Sequence, residues 1–255
     1  MIPAIRAWVE NAGGDGKHDF FEPFAGGGIV SLSVAFENLA SDILMVELDD
    51  EVAAVWKTIL SGDRQWLIDR ILSFEMSRSN ATEVLEKKNK ATRDIAFSTI
   101  LKNRIYHGGI ITKGSGLMKN GENGKGLTSR WYPETLARRI SKVAEVEHKL
   151  RFTHGDAFTQ IEKILDKPSL FTFIDPPYLK AGRRLYTHFE IDHERLFALA
   201  SKIRGRFMMT YDDQPALRTL CKKYGLPYRL IPMKTTHHIK KHELIICDSF
   251  EWLFP

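Results

Sequence analysis

The tetrapeptide Asp175-Pro176-Pro177-Tyr178 restricts what this chain can fold into more than any other stretch. It follows the apolar run 170–174, which has the length and composition of a buried strand. Proline has no N–H and a φ fixed at about −65°, and the residue before a proline is pushed away from helical geometry. The pattern therefore predicts a stiff, extended segment at the carboxyl end of a strand, where open α/β sheets bind their ligands.

The same four residues carry groups that can hold a planar ring bearing an amine, such as adenine. The carboxylate of Asp175 and the carbonyl of Pro176 can accept amino hydrogens, and the ring of Tyr178 can stack on a base. A strand end with a buried, hydrogen-bonded aspartate and a packing tyrosine would explain them equally well. The tetrapeptide alone does not separate these interpretations.

Composition and charge narrow the class of protein. The 255 residues are 43% hydrophobic, enough for one large α/β domain or a domain with an insert. The 37 basic and 32 acidic residues give a net charge of +5, which is compatible with a polyanionic partner. The two cysteines form no Cys-x-x-Cys pair, and no signal peptide or long apolar run is visible. We therefore expect a cytoplasmic protein with no membrane partner.

A basic segment near the carboxyl end, residues 234–242, contains three histidines. His237 and His238 are consecutive and cannot face the same side of a strand, and no cysteine or carboxylate follows a metal-ligand spacing. We expect a basic loop or hairpin here and no metal site.

A strand, a glycine turn and a helix follow one another near the amino terminus. The strand, residues 18–24, leads directly into Ala25-Gly26-Gly27-Gly28, and helical spacing begins at Ile29. The turn matches neither the dinucleotide-binding nor the P-loop pattern. It predicts a bulky ligand that lies close to the backbone at a helix amino terminus, with an ordinary tight turn as the alternative.

The second predicted strand, residues 43–46, ends on an acidic segment, Glu47-Leu48-Asp49-Asp50. An acid about 20 residues after a glycine turn is placed to bind ribose hydroxyls. We expect Glu47 to have this role, with a solvated loop acid as the alternative. Asp49 or Asp50 is expected to cap the next helix.

The alternation of strands and helices stops between residues 57 and 150. Helices are predicted there, together with a stretch at 106–130 that is rich in glycine and contains Lys113, Lys119 and Arg130. Such a stretch can follow a phosphate backbone while its side chains reach base edges. A flexible surface insertion is the alternative. The alternation resumes at residue 150.

Together these motifs resemble the AdoMet-dependent N6-adenine DNA methyltransferases of the Dam-like, alpha-group motif order. The segment from Glu22 to Gly28 is similar to the AdoMet glycine loop, Gly155-Asp156-Ala157-Phe158 to the segment that holds the AdoMet adenine, and the tetrapeptide at 175–178 to the catalytic signature. Glu47 stands where the family usually has aspartate. Asn103-Arg104 and Tyr211-Asp212-Asp213 resemble further family segments.

The resemblance implies a Rossmann-like α/β methyltransferase fold: a mostly parallel seven-stranded sheet with an antiparallel last strand. It places an AdoMet-binding catalytic domain at 1–56 and 151–255, and a helical and loop target-recognition insert at 57–150. The implied catalytic residues are Asp175, Pro176, Pro177 and Tyr178. The implied cofactor-binding residues are Glu22, Pro23, Phe24, Ala25, Gly26, Gly28, Glu47, Leu48, Asp156, Ala157 and Asp175. The implied DNA-binding residues are Asn103, Arg104, Lys113, Lys119, Arg130 and Arg183.

The implied activity is direct methyl transfer from S-adenosyl-L-methionine to an adenine flipped out of double-stranded DNA. We expect a monomer, with a restriction endonuclease as a candidate partner. A cytosine-N4 methyltransferase could use the same tetrapeptide. A cytosine ring-carbon methyltransferase needs a cysteine nucleophile in a Pro-Cys context, which neither Cys221 nor Cys247 has.

The chain departs from the family pattern near its amino terminus. Family members usually carry a Lys-Trp-x-Gly-Gly-Lys-like segment there, which helps to hold the methionine end of AdoMet. Here only Gly13-Gly14 and Lys17 are similar, and they stand in a different place. A DNA-binding relic that has lost AdoMet activity is therefore a second alternative.

Overall fold

The computed structural model describes residues 1–11, 17–88, 90–112, 115–118, 121, 124, 126–179, 190–234 and 240–253; of residues 232–234 and 240–242 it describes the backbone alone. By their contacts these residues form two compact units. The first takes the described residues of 1–48, 149–180 and 190–255, and the second takes those of 49–148.

The first unit is built on a seven-stranded sheet. Its strands are β1 (Asp19–Glu22), β2 (Ile43–Glu47), β3 (Leu150–His154), β4 (Leu170–Ile174), β5 (Arg206–Asp212), β6 (Tyr228–Lys234) and β7 (Lys240–Cys247). Their order is β3-β2-β1-β4-β5-β7-β6. Neighbours among β1 to β5 are parallel, whereas β7 is antiparallel to both β5 and β6. The predicted fold, mostly parallel with an antiparallel last strand, is confirmed.

Ten α-helices accompany the strands in the described part of the chain. They are α1 (Ile2–Asn11), α2 (Ile29–Phe36), α3 (Asp50–Ile59), α4 (Arg64–Leu72), α5 (Arg78–Glu86), α6 (Thr92–Ile105), α7 (Pro133–Lys142), α8 (Ala157–Glu162), α9 (His193–Ala200) and α10 (Pro215–Tyr224). Their ends follow local chemistry. For example, α10 begins with Pro215 in its first turn and ends at Gly225, whose φ of 67° is left-handed.

The core of the first unit lies along its central strands. All five residues of β4 are buried, as expected for a parallel strand covered on both faces. Phe21, Ile174, Phe197 and Tyr211 belong to the same buried cluster. On the other side, the ring of Trp8 in α1 meets Phe171 edge-on, with 5.2 Å between centroids. This packing fixes the strand ends on which the site depends.

The second unit is helical. Helix α3 packs on α6, and α4 packs on α7. Phe97 and Trp131 each meet Phe74 edge-on, at 5.2 and 5.7 Å between ring centroids. Glu51 of α3 pairs with Lys102 of α6. Helix α3, which the sequence boundary at 56 placed in the catalytic domain, therefore belongs to the second unit by its contacts, and the units divide after residues 48 and 148.

The strand order creates a switch point between β1 and β4. From β1 the chain extends the sheet through β2 to β3, and from β4 it extends the sheet the other way through β5. Parallel strands end at a common edge of the sheet, and ligands bind outside that edge where the order reverses. Glu22, Glu47, Asp175 and Asp212 all stand at these strand ends.

Candidate active site

The glycine turn after β1 is tied to the end of β2. The Ala25 N–H donates to the Val46 carbonyl at 2.9 Å, and the Gly26 N–H donates to Glu47 Oε2 at 2.8 Å. Gly26 and Gly28 have φ of 49° and 61°, a region that favours glycine. A Cβ placed on Gly26 or Gly27 would meet nothing within 4 Å. The turn therefore leaves open space above its backbone.

Glu22 supports this turn from within the protein. Its side chain is only 3% exposed, and Oε2 accepts hydrogen bonds from both the N–H and the hydroxyl of Ser31 in α2. The pKa of Glu22 is raised to about 8: burial is the largest cause, the hydrogen bonds from Ser31 oppose it, and the charges of Asp175 and Glu47 contribute to the rise. Glu22 is therefore a neutral acid at neutral pH that fastens the turn to α2, and its predicted contact with cofactor stays a prediction.

The acidic segment after β2 separates into two roles. Asp49 caps α3, because one carboxylate oxygen accepts from the N–H groups of Glu51 and Val52 at 2.9 and 3.1 Å. The predicted cap is thereby confirmed. Glu47 is half-buried beside the glycine turn, and the apolar side chain of Leu48 is 42% exposed. Leu48 thus presents an apolar surface next to a carboxylate.

Asp156 follows β3 at the same edge. It caps α8, since its carboxylate accepts from the N–H and the hydroxyl of Thr159, both at 2.9 Å. The Gly155 N–H donates to the Glu47 carbonyl at 3.0 Å, which joins this turn to the end of β2. Phe158 meets Phe24 of the glycine segment edge-on, at 6.4 Å between centroids. The two cofactor segments predicted from the sequence therefore touch.

Asp175 stands directly after β4. Its Oδ1 accepts a hydrogen bond of 2.7 Å from the hydroxyl of Thr210 on the neighbouring β5. The side chain keeps solvent-accessible surface, yet the surrounding protein removes much of its hydration, and this desolvation raises its pKa to about 6. The hydrogen bond from Thr210 opposes the shift, and the charge of Glu243 adds to it. Since water reaches part of the residue, its carboxyl can exchange protons with solvent.

Tyr178 is held by groups that the sequence did not indicate. Its hydroxyl donates to Glu243 Oε1 at 2.7 Å, and its ring lies 6.0 Å from the ring of Tyr211. Burial, together with the charges of Asp175 and Glu243, raises the pKa of Tyr178, so the phenol stays protonated. Pro176 and Pro177 are buried, whereas Tyr178 is half-buried and keeps exposed ring surface. Sequence reasoning missed Glu243 because it lies 65 residues from Tyr178 and belongs to no motif.

In the second unit, Asn103 and Arg104 lie at the end of α6, and Arg130 contacts that end. Arg130 donates to the carbonyls of Asn103 and Tyr106 at 3.2 and 3.4 Å. Partial burial lowers the pKa of Arg104, and the charges of Arg130 and Arg139 lower it further. Three guanidinium groups therefore lie near one another. Lys113, Lys119 and Arg183 lie outside the described residues.

Neither a metal site nor a membrane-spanning helix is present among the described residues. Among them, no group of three or more His, Cys, Asp or Glu could hold a metal ion, and no helix is long and apolar enough to cross a membrane. His237 and His238 of the basic segment lie outside the described residues.

Comparison with known proteins identifies the family. The model of D12 class N6 adenine-specific DNA methyltransferases matches residues 1–239. A search of curated protein sequences gave no significant match.

Three solved structures illustrate the similarity in fold. An rRNA methyltransferase from Streptomyces viridochromogenes is 13% identical, with 95% of this chain and 80% of that chain covered and a TM-score of 0.40. An rRNA methylase from Streptococcus thermophilus is 8% identical. The match covers 98% of this chain and 97% of that chain, with a TM-score of 0.41. A precorrin-6y C5,15-methyltransferase from Geobacter metallireducens is 9% identical. The match covers 96% of this chain and 86% of that chain, with a TM-score of 0.40.

These scores are too low to carry an argument, so the assignment depends on the family match alone. That match favours adenine N6 over cytosine N4 as the methyl acceptor. The chain belongs to the D12 class N6 adenine-specific DNA methyltransferases, which use S-adenosyl-L-methionine to methylate adenine in DNA.

Proposed function

We propose that the first unit both binds AdoMet and transfers its methyl group to an adenine flipped out of double-stranded DNA. The observation that carries this proposal is the convergence of an open glycine turn, Glu47 and the segment 175–178 at the switch point of one sheet. Chemistry on a base inside a duplex requires the base to leave the stack, and the half-buried ring of Tyr178 gives it a surface to stack on. The roles of the individual residues are part of the proposal.

The residues at the glycine turn fit AdoMet. The open space above Gly26 and Gly27 admits a bulky group close to the backbone. Glu47 can accept hydrogen bonds from ribose hydroxyls, and the exposed side chain of Leu48 can pack against the adenine ring. Pro23, Phe24, Ala25, Gly28, Asp156 and Ala157 complete the proposed pocket. Bound AdoMet supplies a methyl group on a sulfonium, which has to be aligned with its acceptor rather than activated.

Asp175 and Pro176 orient the accepting nitrogen. The Asp175 carboxylate and the Pro176 carbonyl accept the two amino hydrogens, so that the nitrogen lone pair points to the methyl group. The carboxylate also stabilises the positive charge that develops on nitrogen during transfer. Thr210 holds one oxygen of Asp175 in place. Tyr178 stacks on the flipped base, and the rigid geometry of Pro177 fixes the distance between the two.

DNA recognition is assigned to the second unit. Arg104 and its neighbours Arg130 and Arg139 concentrate positive charge, which suits contact with phosphates. Arg130 also donates to two backbone carbonyls, so it has a structural role besides any contact with DNA. Asn103, Lys113, Lys119 and Arg183 are proposed as further contacts.

We also propose that the enzyme acts as a monomer in the cytoplasm, where DNA and AdoMet are both present. A restriction endonuclease that recognises the same sequence is the proposed partner. Mass photometry of the purified protein, with and without a DNA duplex, tests the oligomeric state.

Product analysis tests the proposed function directly. A randomised DNA duplex library is incubated with the protein and labelled AdoMet, digested to nucleosides and separated. We expect label in N6-methyladenine only, and none with the Asp175→Ala variant, which should keep its fold and much of its affinity for AdoMet. Label in N4-methylcytosine, or normal turnover by Asp175→Ala, would contradict the proposal. Calorimetry of AdoMet binding in the absence of DNA tests the alternative of a DNA-binding relic. An active enzyme should bind AdoMet, whereas a relic that has lost AdoMet activity should not.

A further inference from the structure

The antiparallel strand β7 brings a carboxylate to the catalytic edge of the sheet. Because β7 runs opposite to β5, its first residues lie beside the carboxyl end of β5, and Glu243 pairs with Asp212 across the two strands. A parallel strand in this place would put its last residues there instead. Glu243 is thus delivered to the site by the topology, about 65 residues after the tetrapeptide in sequence.

Glu243 makes direct contact with the tetrapeptide. Its Oε1 accepts the hydroxyl proton of Tyr178 in a hydrogen bond of 2.7 Å. The Tyr178 ring also lies against Tyr211, at 6.0 Å and an interplanar angle of 37°. Tyr211 is in turn hydrogen-bonded through its hydroxyl to Nδ1 of His193 at 2.8 Å. The hydroxyl contact fixes one end of Tyr178, and the ring contact restricts its rotation.

The second oxygen of this carboxylate has an unusual environment. Glu243 Oε2 is buried without a hydrogen-bond partner among the described residues, as is Oδ1 of Asp212. Buried polar atoms are normally paired, so an unpaired one calls for an explanation, of which a functional role is one. An unpaired buried carboxylate oxygen costs stability, so packing alone does not account for Glu243.

We propose that Glu243 is a positioning residue for methyl transfer, which holds the Tyr178 ring in the orientation that stacks on the target adenine. The inference rests on the proposed role of Tyr178. It predicts that an acceptor at position 243 matters for placement of the base and not for AdoMet binding, because the contact lies on the side of β5 and β7, away from the glycine turn after β1.

The charge of Glu243 has a second, separable effect. It is one of several titratable groups around Asp175, and its charge raises the pKa of that residue. The others are Tyr178 in the same segment, Glu22 from β1, and Tyr211 and Asp212 from β5. Removing the charge while keeping an acceptor should therefore lower the pKa of Asp175 and leave Tyr178 in place.

Two substitutions separate these effects. Glu243→Gln keeps an oxygen acceptor for the Tyr178 hydroxyl but has no charge, whereas Glu243→Leu has neither at similar volume. We expect Glu243→Leu to lower kcat about tenfold or more, the usual effect of losing a hydrogen bond to a charged group. Glu243→Gln should keep kcat within about threefold at pH 8 and shift the acid limb of the pH–rate profile to lower pH. The KM for AdoMet should be unchanged in both.

A double-mutant cycle with Tyr178, the other residue of the contact, tests the interaction itself. Tyr178→Phe removes the donor, so Tyr178→Phe combined with Glu243→Leu should be no slower than the slower single variant, because both remove one interaction. Glu251→Gln serves as the matched control. Glu251 is an exposed carboxylate beyond the other end of β7, and its replacement should change neither kcat nor the pH profile.

Base placement is measured independently of transfer by 2-aminopurine at the target adenine of a duplex. We expect wild-type protein and Glu243→Gln to quench the fluorescence of the flipped base by stacking, and Glu243→Leu to quench it less. Equal quenching and equal kcat in Glu243→Leu and wild type would overturn the inference. A wild-type protein that stacks the base but forms no N6-methyladenine would contradict the proposed function instead, and the fluorescence comparison would still decide the role of Glu243. If Glu243→Leu does not fold, the Glu243→Gln variant tests the role of Glu243 alone. A reduced kcat at pH 8, or an acid limb that does not shift, would then overturn the inference.

Discussion

At the scale of single residues, the carboxyl groups at the sheet edge differ in what they are suited to do. Glu22 is buried and neutral at neutral pH, whereas Asp175 keeps contact with water and titrates near the working pH range. Both shifts have desolvation as their largest cause; the charge of Asp175 also raises the pKa of Glu22, and the charge of Glu243 raises that of Asp175. These environments suit Glu22 to a supporting role and agree with the role that we propose for Asp175.

The pH dependence of the rate tests the role of Asp175. Protonation of Asp175 removes its negative charge and turns one of its oxygens into a donor, and its pKa is raised to about 6, so kcat should fall as pH drops through about 6. An ordinary aspartate would keep its activity to about pH 4. Rates measured from pH 5 to 9 should show this acid limb, and Asp175→Asn should be slow and lack it. An acid limb unchanged in Asp175→Asn would assign it to another group.

The stability of Glu22→Gln tests the buried neutral acid. A carboxyl whose folded pKa exceeds its unfolded value contributes stability that is present at low pH and is lost as pH rises towards about 8. Glutamine keeps an acceptor for Ser31 and does not titrate. Thermal unfolding at pH 6 and pH 9 should show a smaller loss of Tm for Glu22→Gln than for wild type. Equal losses in the two proteins would mean that Glu22 is charged in the folded state.

At the scale of elements, much of the fold was predictable because local patterns dominate. The apolar run before Asp175 and the glycine turn before Ile29 gave β4 and the start of α2 correctly. Contacts between distant segments have no such signature. The Tyr178 bond to Glu243 spans 65 residues, and Arg130 reaches carbonyls 24 and 27 residues earlier. The candidate site was therefore predictable in its strand-end residues but not in the groups that hold them.

The glycine turn gives a prediction about cofactor binding. Gly27 does not have a positive φ, and a Cβ on it would meet nothing within 4 Å, so Gly27→Ala should fold with unchanged Tm. Its methyl group would occupy the space proposed for AdoMet, and calorimetry should show weaker binding. Gly28→Ala is the contrasting variant. Its φ of 61° makes alanine strained, at a cost of about 1 kcal/mol in stability. Unchanged AdoMet affinity in Gly27→Ala would place the cofactor elsewhere.

At the scale of the whole molecule, the chain forms two compact units, and we propose that one carries the chemistry and the other the recognition of DNA. The sequence predicted an insert, but not that α3 would join it, because the contact of α3 with α6 is not visible in local patterns. The second unit has its own aromatic core around Phe74, Phe97 and Trp131. Changes to its charged surface should therefore affect DNA binding without changing the affinity for AdoMet.

A pair of arginine substitutions tests that separation. Arg104→Ala removes a cation that burial and the charges of its neighbours already disfavour, so the stability of the protein should be unchanged. The slope of log DNA affinity against log salt concentration should fall by about one unit. Arg130→Ala loses two hydrogen bonds to backbone carbonyls and should cost about 1 kcal/mol of stability. DNA titrations at several salt concentrations and thermal unfolding provide the measurements. A salt slope unchanged in both variants would remove this cluster from the DNA interface.

The position of β1 in the sheet has a consequence for how the protein is made. Residues 19–21 of β1 pair with residues 170–172 of β4, so one edge of β1 has no partner until some 150 residues more have been synthesised. At ordinary translation rates the nascent chain would expose that edge for on the order of ten seconds, while the helical second unit emerges and folds. An open, apolar strand edge is a template for aggregation. Slower elongation across the insert should therefore lower the yield of folded enzyme, and chaperones that bind nascent chains should restore it.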